Sequence, residues 1–123
     1  MNVRCLIVDD SSWFLTAARR LLERQGMAVV GVASTGAQAV RLVARLRPDV
    51  TLVDIDLGGE SGLDVARDVF MVASTPVILI STHAEEDFAS LIAASPAIGF
   101  LPKAALSANA IRDLLARPES PGR

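Results

Sequence analysis

Three short apolar runs of this chain end at charged side chains, which are acidic after the first two runs and basic after the third. They are residues 6–8 before Asp9 and Asp10, residues 51–53 before Asp54 and Asp56, and residues 97–101 before Lys103, the only lysine in the sequence. Strands of a parallel sheet all point one way, so the residues that follow them meet at one edge. Carboxylates and an ammonium in one crevice could hold a divalent metal ion and a phosphoryl group together.

Asp54 is the candidate nucleophile, because it directly follows the run predicted to form the central strand. A carboxylate can attack phosphorus and form an acyl phosphate. The phosphoryl oxygens carry negative charge, so the site needs counter-charge more than it needs a general acid or base. Mg²⁺ would bind one oxygen, Lys103 another, and the hydroxyl of Ser81 or a backbone N–H a third. Each residue alone is more readily explained as a turn, cap or surface residue, and only their convergence favours phosphoryl chemistry.

The sequence around these residues alternates between strand and helix patterns. Apolar runs predict strands, and apolar residues at helical spacing after a capping hydroxyl predict helices. The strands are predicted at residues 3–8, 27–33, 50–53, 77–80 and 97–101. The helices are marked by Phe14, Ala18, Leu21 and Leu22, by Val40, Val43 and Ala44, by Leu63, Ala66 and Phe70, by Phe88, Leu91 and Ile92, and by Ile111, Leu114 and Leu115.

Five strand–helix units joined by short connections predict an α/β fold, in which helices cover both faces of a doubly wound, five-stranded parallel sheet. A closed eightfold barrel needs about twice this length. The strand order 2-1-3-4-5 would put the reversal of strand order between the first and third strands, the two that end in acids. We predict one domain over residues 1–117 and a flexible tail over residues 118–123.

Composition excludes several other classes of protein. A formal net charge of -2 over 123 residues lacks the basic excess typical of nucleic-acid binding. No apolar run approaches the roughly 18–20 residues that a membrane-spanning helix needs, and no secretory signal is evident. We therefore expect a cytoplasmic protein that contacts neither nucleic acid nor membrane. Cys5 lies within the first predicted strand and is expected to be a buried core residue.

In their order and spacing, four stretches resemble the receiver domain of bacterial two-component response regulators, which has a flavodoxin-like fold. The resemblance covers essentially the whole chain. The stretches are Leu6-Ile7-Val8-Asp9-Asp10, Leu52-Val53-Asp54-Ile55-Asp56-Leu57 with Gly62 beyond it, Ile78-Leu79-Ile80-Ser81, and Gly99-Phe100-Leu101-Pro102-Lys103. The resemblance implies that Asp54 accepts a phosphoryl group from a sensor histidine kinase or a histidine phosphotransfer protein. It also implies a Mg²⁺ cofactor held by Asp10, Asp54 and the backbone carbonyl of Asp56, with Asp9 contributing through water.

The resemblance further implies how a signal leaves the site. Ser81 would be the hydroxyl that moves to the phosphoryl group, Phe100 the aromatic switch that turns inward afterwards, and Lys103 the phosphate-binding lysine. A downstream protein partner or an attached output domain would read the face made by the fourth helix, fifth strand and fifth helix, and phosphorylation-dependent homodimerisation would use the same change. Such a chain is no enzyme beyond catalysing its own phosphorylation and dephosphorylation. Asp56 and His83 occupy variable positions that flank the attacking water, so we expect them to set the phosphoryl lifetime.

Three positions depart from the common pattern of that family. Gly58 stands where proline is common, and with Gly59 it gives the loop more freedom to lose on ordering. Ala104 replaces the proline that often follows the lysine in a cis bond, which leaves the Lys103–Ala104 geometry open. Thr82 is larger than the Ala or Gly often found there and would narrow access to Asp54.

The favoured hypothesis is a single-domain response regulator, and two alternatives remain. The stretch over residues 99–115 is similar to receivers attached to helix-turn-helix DNA-binding domains, so the chain could be a module of a longer regulator. Asp54-Ile55-Asp56 resembles the Asp-x-Asp start of haloacid-dehalogenase-type phosphatases, although there the motif follows the first strand. A degenerate receiver that only binds a partner is disfavoured by the complete set of acids, hydroxyl and lysine.

Overall fold

The sheet has the predicted architecture in the computed structural model, which describes residues 2–117, so the predicted tail lies outside the described residues. Its strands are β1 (Arg4–Val8), β2 (Ala28–Ala33), β3 (Val50–Asp54), β4 (Val77–Ser81) and β5 (Gly99–Pro102). Neighbouring strands pair in parallel, and their order is β2-β1-β3-β4-β5. The predicted strand order is therefore confirmed, and the reversal lies between β1 and β3.

Helices connect the strands, and three of the five begin at a capping hydroxyl. They are α1 (Ser12–Arg24), α2 (Gly36–Leu46), α3 (Gly62–Ala73), α4 (Ala89–Ala93) and α5 (Ala108–Ala116), with short 3-10 helices at Glu85–Phe88 and Lys103–Ala105. The side chains of Ser11, Thr35 and Ser107 each accept a backbone N–H of the first turn of α1, α2 or α5. Among residues 2–117, no helix combines the length and the apolar character that crossing a membrane requires.

The core has two halves, because alternate residues of each strand point to opposite faces of the sheet. Cys5 and Ile7 of β1 pack with residues of α1 and α5, whereas Leu6 and Val8 pack with residues of α2 and α3. Since β1, β3 and β4 are covered on both faces, their sequences are continuous apolar runs rather than alternating ones. Burial raises the pKa of the Cys5 thiol to about 12, so this residue is a neutral core side chain, as predicted.

The predicted buried faces of three helices need correction. Phe70 of α3 is 38% exposed while its neighbour Val69 is fully buried, and Ala44 of α2 is exposed. Leu91 of α4 is 52% exposed, and none of the residues of α4 is buried. Where adjacent positions are both apolar, spacing alone does not decide which one faces the sheet. In α3 the smaller valine fits against the strands and the phenylalanine lies at the rim.

Candidate functional site

The carboxyl ends of β1, β3 and β5 bring the predicted charged residues together. The Nζ of Lys103 lies 2.6 Å from Oδ2 of Asp9 and 3.1 Å from Oδ2 of Asp54. Asp10 belongs to the same cluster, since one carboxylate oxygen from each of the three aspartates lies within 4.8 Å of the others. Three distant segments of the sequence thus deliver acids and an amine to one place, because parallel strands end at one edge of the sheet.

Backbone contacts orient the two buried carboxylates of the cluster. Oδ1 of Asp9 accepts a hydrogen bond from the backbone N–H of Ser11 at 2.9 Å, and Oδ1 of Asp54 accepts one from the N–H of Asp56 at 3.2 Å. Each carboxylate therefore holds one oxygen against the backbone and turns the other toward Lys103. Asp9 is fully buried and Asp54 nearly so, whereas Asp10 is exposed at the rim.

Burial and counter-charge act in opposite directions on these groups. Burial raises the pKa of Asp54, and it outweighs the hydrogen bonds from Asp56 and Lys103, which act downward; the charge of Asp9 adds to the rise. Burial alone lowers the pKa of Lys103, but the contacts with Asp9 and Asp54 together outweigh it, so its pKa lies above the ordinary value. Lys103 is therefore cationic, and it is a single ammonium beside a cluster of three aspartates.

The cluster fits a hard divalent cation such as Mg²⁺. Oδ2 of Asp9 is buried and, apart from its ion pair with Lys103, has no polar partner in the described part of the chain. Carboxylates crowded beside a single ammonium are costly, and a divalent cation would reduce that cost. Mg²⁺ takes one or two carboxylates together with other oxygen ligands. The backbone of Asp56 is held beside the cluster by its hydrogen bond to Asp54, as a contribution from its carbonyl would require.

Glycines let the loop between β3 and α3 approach the cluster. The backbone of Gly58 has a φ of +68°, and a Cβ there would lie 2.9 Å from Oδ2 of Asp10. A Cβ on Gly62 would lie 1.8 Å from the backbone oxygen of Asp54, so a larger residue would push directly on the strand that carries the acid. Gly59 has open space around its Cα.

Glu60 holds the same loop from outside, and the sequence did not single it out. Asp56–Leu57 and Glu60–Ser61 form a two-residue antiparallel ribbon. The Glu60 carboxylate accepts the backbone N–H of Gly36 at the start of α2. Nothing in the sequence around Glu60 indicates that it would bind Gly36, 24 positions earlier in the chain.

Ser81 ends β4 and is turned toward His83. Its hydroxyl accepts the backbone N–H of His83 at 3.0 Å, and the ring Nδ1 of His83 lies 3.5 Å from the same oxygen. Within residues 2–117, no hydrogen bond joins Ser81 to Asp54. The ring of His83 meets the ring of Phe88 edge-on, with centroids 5.9 Å apart. This chain of contacts leads from the edge of the sheet to the turn that precedes α4.

Phe100 is already inside the protein. It is 6% exposed and packs in the core half that includes α2 and α3. The ring that was predicted to turn inward is therefore already buried. Any change on phosphorylation would be a repacking within the core. The Lys103–Ala104 peptide bond is trans, as is every other peptide bond in the described range.

Phe14 is the second site residue that the sequence did not single out. The centroid of its ring lies 4.4 Å from Nζ of Lys103. Helical spacing marked this residue as part of the apolar face of α1, and nothing in that pattern indicates a lysine from the far end of the chain. Trp13 beside it is 78% exposed. An apolar cleft between α1 and the turn after β5 is lined by both aromatic residues, by Thr82 and by Ala104.

Comparison with known proteins decides the family. The family model described as "Response regulator receiver domain" matches residues 5–116. This chain belongs to the response regulator receiver family. Phosphorylation and Mg²⁺ binding are typical of that family, whose members are signalling modules of two-component systems. The predicted family and the flavodoxin-like receiver fold are thus confirmed.

In two curated relatives, the region similar to this receiver is one part of a longer protein. It is 40% identical over 83 residues to a protein-glutamate methylesterase/protein-glutamine glutaminase of Alkalilimnicola ehrlichii, a match that covers 67% of this chain and 21% of the relative. A protein of the same description from Photobacterium profundum is 34% identical over 106 residues, which is 84% of this chain and 27% of the relative. The chain spans about a quarter of the length of these relatives.

Solved structures of receivers superimpose over nearly all of the chain. A two-component response regulator of the LuxR family from Aurantimonas sp. SI85-9A1 has a TM-score of 0.85 at 29% identity, with 98% of this receiver and 91% of that chain covered. The response regulator domain of CheB from Thermotoga maritima has a TM-score of 0.82 at 26% identity, with 96% and 99% covered.

Proposed function

We propose that this receiver accepts a phosphoryl group on Asp54 from a sensor histidine kinase or a histidine phosphotransfer protein. The proposal depends on the Lys103 ammonium, which lies 3.1 Å from the Asp54 carboxylate and 2.6 Å from that of Asp9. A carboxylate oxygen of Asp54 attacks phosphorus, and the P–N bond to the donor imidazole breaks. The imidazole leaves with the bonding electron pair and takes up a proton from solvent, and Asp54 becomes an acyl phosphate.

Asp9, Asp10, Asp54 and the backbone carbonyl of Asp56 would hold Mg²⁺, with Asp9 contributing through water. When bound, the ion neutralises charge on the phosphoryl oxygens. Lys103 supplies the protein's own counter-charge and already touches the oxygen of the acceptor side chain. The backbone contacts of Ser11 and Asp56 keep the carboxylates in their orientations. Positioning and counter-charge are the main catalytic needs of phosphoryl transfer.

The contacts of Ser81 support a relay to the face formed by α4, β5 and α5. An acyl phosphate offers strong acceptor oxygens, so the Ser81 hydroxyl would leave the N–H of His83 and donate to them. His83 packs on Phe88, and Phe88 lies against the same core half as Phe100. Moving Ser81 would thus change the support of α4 and the packing around Phe100. A downstream protein or an attached output domain would read that face.

Two arrangements of the whole protein are compatible with this role. A single-domain regulator would consist of the receiver unit at residues 1–117 and act by contact with another protein. Relatives of which the receiver forms about a quarter favour the second arrangement, a module of a longer regulator with its own output domain. The gene on both sides of this segment distinguishes the two arrangements. The family assignment leaves the phosphatase alternative without support.

Phosphoryl labelling tests the proposed acceptor. We expect incubation with Mg²⁺ and acetyl phosphate to add one phosphoryl mass to the intact protein, and we expect a chelator or Asp54→Asn to abolish the gain. Asp64→Asn is the matched control, because Asp64 is an exposed acid of α3 paired with Arg67, and this variant should be labelled like the parent. An unlabelled parent, or equal labelling of Asp54→Asn, would contradict the proposal.

A further inference from the structure

We propose that Phe14 is a positioning residue for Lys103, whose ammonium it holds on the face of its ring while the carboxylates engage the metal ion and the phosphoryl group. The inference rests on the proposed function of the site. The 4.4 Å distance from Nζ to the ring centroid is within the roughly 6 Å over which an aromatic face attracts a cation. The Lys103 side chain is only 14% exposed, which favours such a contact because the ammonium is partly desolvated.

Consecutive hydrogen bonds place the ring of Phe14 relative to the acids. The backbone N–H of Ser11 donates to Oδ1 of Asp9 at 2.9 Å, and the backbone N–H of Phe14 donates to the Ser11 hydroxyl at 3.2 Å. The helix cap of α1 therefore ties the aromatic residue to the aspartate that pairs with Lys103. Because the cap fixes the first turn of α1, it fixes the backbone that carries the ring beside the ammonium.

The ring offers Lys103 a contact for which a metal ion does not compete. The carboxylates of Asp9 and Asp54, which hold the ammonium, are also the proposed ligands of Mg²⁺, and their charge is shared once the ion binds. A hard cation prefers oxygen ligands, so it leaves the aromatic face free. Lys103 has a long flexible stem, and Ala104 after it lacks the ring by which proline fixes φ. The aromatic face thus restrains the amine when a bound metal ion has weakened its hold on the carboxylates.

The single lysine allows a direct test. Labelling with ¹³C-lysine gives one ε-CH₂ signal, and the ring current of Phe14 should shift its protons upfield. We expect this shift to persist when Mg²⁺ is added to the parent and to Phe14→Tyr, and to be lost in Phe14→Leu, which keeps bulk without a π face. Phosphorylation of Phe14→Leu by acetyl phosphate at saturating Mg²⁺ should be about fivefold slower, the factor that a partly exposed cation–π contact corresponds to.

Phe70→Leu is the matched control, because it makes the same substitution on the half-exposed rim of α3 and should change neither signal nor rate. Should Phe14→Leu melt below the assay temperature, Phe14→Met replaces it in the same comparison. If the parent is labelled but Phe14→Leu keeps both the phosphorylation rate and the lysine signal of the parent, the role of Phe14 is overturned. The proposed function would then still stand. A parent that acetyl phosphate does not label would overturn the proposed function, and with it the role assigned to Phe14.

Discussion

Lys103 pairs with oxygens that a metal ion would also use. Its ammonium contacts Oδ2 of both Asp9 and Asp54, and in the described part of the chain nothing else polar reaches the Asp9 oxygen. A cation held this closely raises the cost of bringing a second cation to the cluster, since like charges repel strongly where water is partly excluded. The residue that would stabilise the acyl phosphate would therefore also weaken Mg²⁺ binding in the resting state.

Lys103→Met should bind Mg²⁺ about tenfold more tightly than the parent, because the competing ammonium is gone; that factor corresponds to about 1.4 kcal/mol. Phosphorylation should become slower despite the tighter metal binding, because the counter-charge on the transferred group is lost. Trp13 fluorescence or calorimetry with Mg²⁺ measures the affinity, and Lys103→Arg serves as the charge-retaining control. Equal affinities in Lys103→Met and the parent would show that the ion pairs do not compete with the metal.

Asp56 and His83 should set how long the acyl phosphate survives. Both are exposed at the rim. We expect Asp56→Asn and His83→Ala to change the dephosphorylation rate by about threefold to tenfold, since groups that orient or exclude a water contribute by positioning. The decay of phosphorylated protein by intact mass measures this rate, and thermal melts confirm the fold. Three equal rates would contradict the assignment of these positions.

At the residue scale, strand direction made part of the site predictable from the sequence, whereas side-chain packing across the fold was not predictable. Asp9, Asp54 and Lys103 could be placed together because each lies at or just beyond the end of a strand of one parallel sheet. Phe14 and Glu60 could not be assigned, because their partners come from elements far away in the chain. A phenylalanine on an apolar helix face and a glutamate in a loop are both common, so neither residue type indicates a role in the site.

At the element scale, the loop between β3 and α3 is shaped by close approach to the acceptor strand. Gly62 is the tightest point, where an added Cβ would meet the Asp54 carbonyl oxygen, and the backbone N–H of Gly62 donates to the Ile55 carbonyl at 2.7 Å. Neither the strand nor the first turn of α3 can move without disturbing the acid. The requirement for glycine is thus one of space, not of a left-handed backbone.

Gly62→Ala should lower the free energy of unfolding by about 2–3 kcal/mol, since overpacking of this kind strains the backbone. It should also weaken Mg²⁺ binding, because Asp54 shifts with its strand. Urea denaturation measures the first effect. Gly59→Ala is the matched control in the same loop, where the added methyl group meets open space and stability should change little. Equal stabilities of the two variants would mean that the backbone around Asp54 accommodates the added methyl group without strain, which would contradict the prediction.

The weakest element prediction concerned α4. Its predicted apolar face gave a five-residue α-helix without a buried residue, preceded by a 3-10 turn. The strands could be predicted because burial on both faces requires continuous apolar runs. A short helix at the edge of the sheet needs few apolar contacts, so its sequence pattern is weak. The same scarcity of contacts would let α4 shift in the proposed relay, because little packing would have to be broken.

At the scale of the whole molecule, the buried acid cluster lowers the free energy of unfolding. The folded state raises the pKa of Asp54 above its ordinary value, chiefly through burial. Such a group stabilises the fold fully only below its unfolded-state pKa, and that contribution is lost as pH rises through the folded-state pKa. Above the folded-state pKa and without metal, the ionised Asp54 side chain is therefore destabilising.

Asp54→Asn should accordingly melt at a higher temperature than the parent at pH 7 in chelator. The difference should shrink as pH falls through the folded-state pKa of Asp54, because the parent then regains its stability by protonation. Scanning calorimetry of both proteins across this range measures the effect, and Asp64→Asn should show no such trend. A variant less stable than the parent at pH 7 would contradict the destabilising role of the buried charge.

The sheltered lysine also limits how the molecule can be handled in the laboratory. Acylating dyes, lysine cross-linkers and amine-coupled sensor surfaces have one ε-amine to attack in this sequence, and it is paired with Asp9 and Asp54. Thiol reagents fare no better, because Cys5 is wholly inside the protein. Attachment through either of these two side chains would therefore select unfolded or inactivated molecules. An engineered cysteine at an exposed position of α2 would give a tether that avoids both side chains.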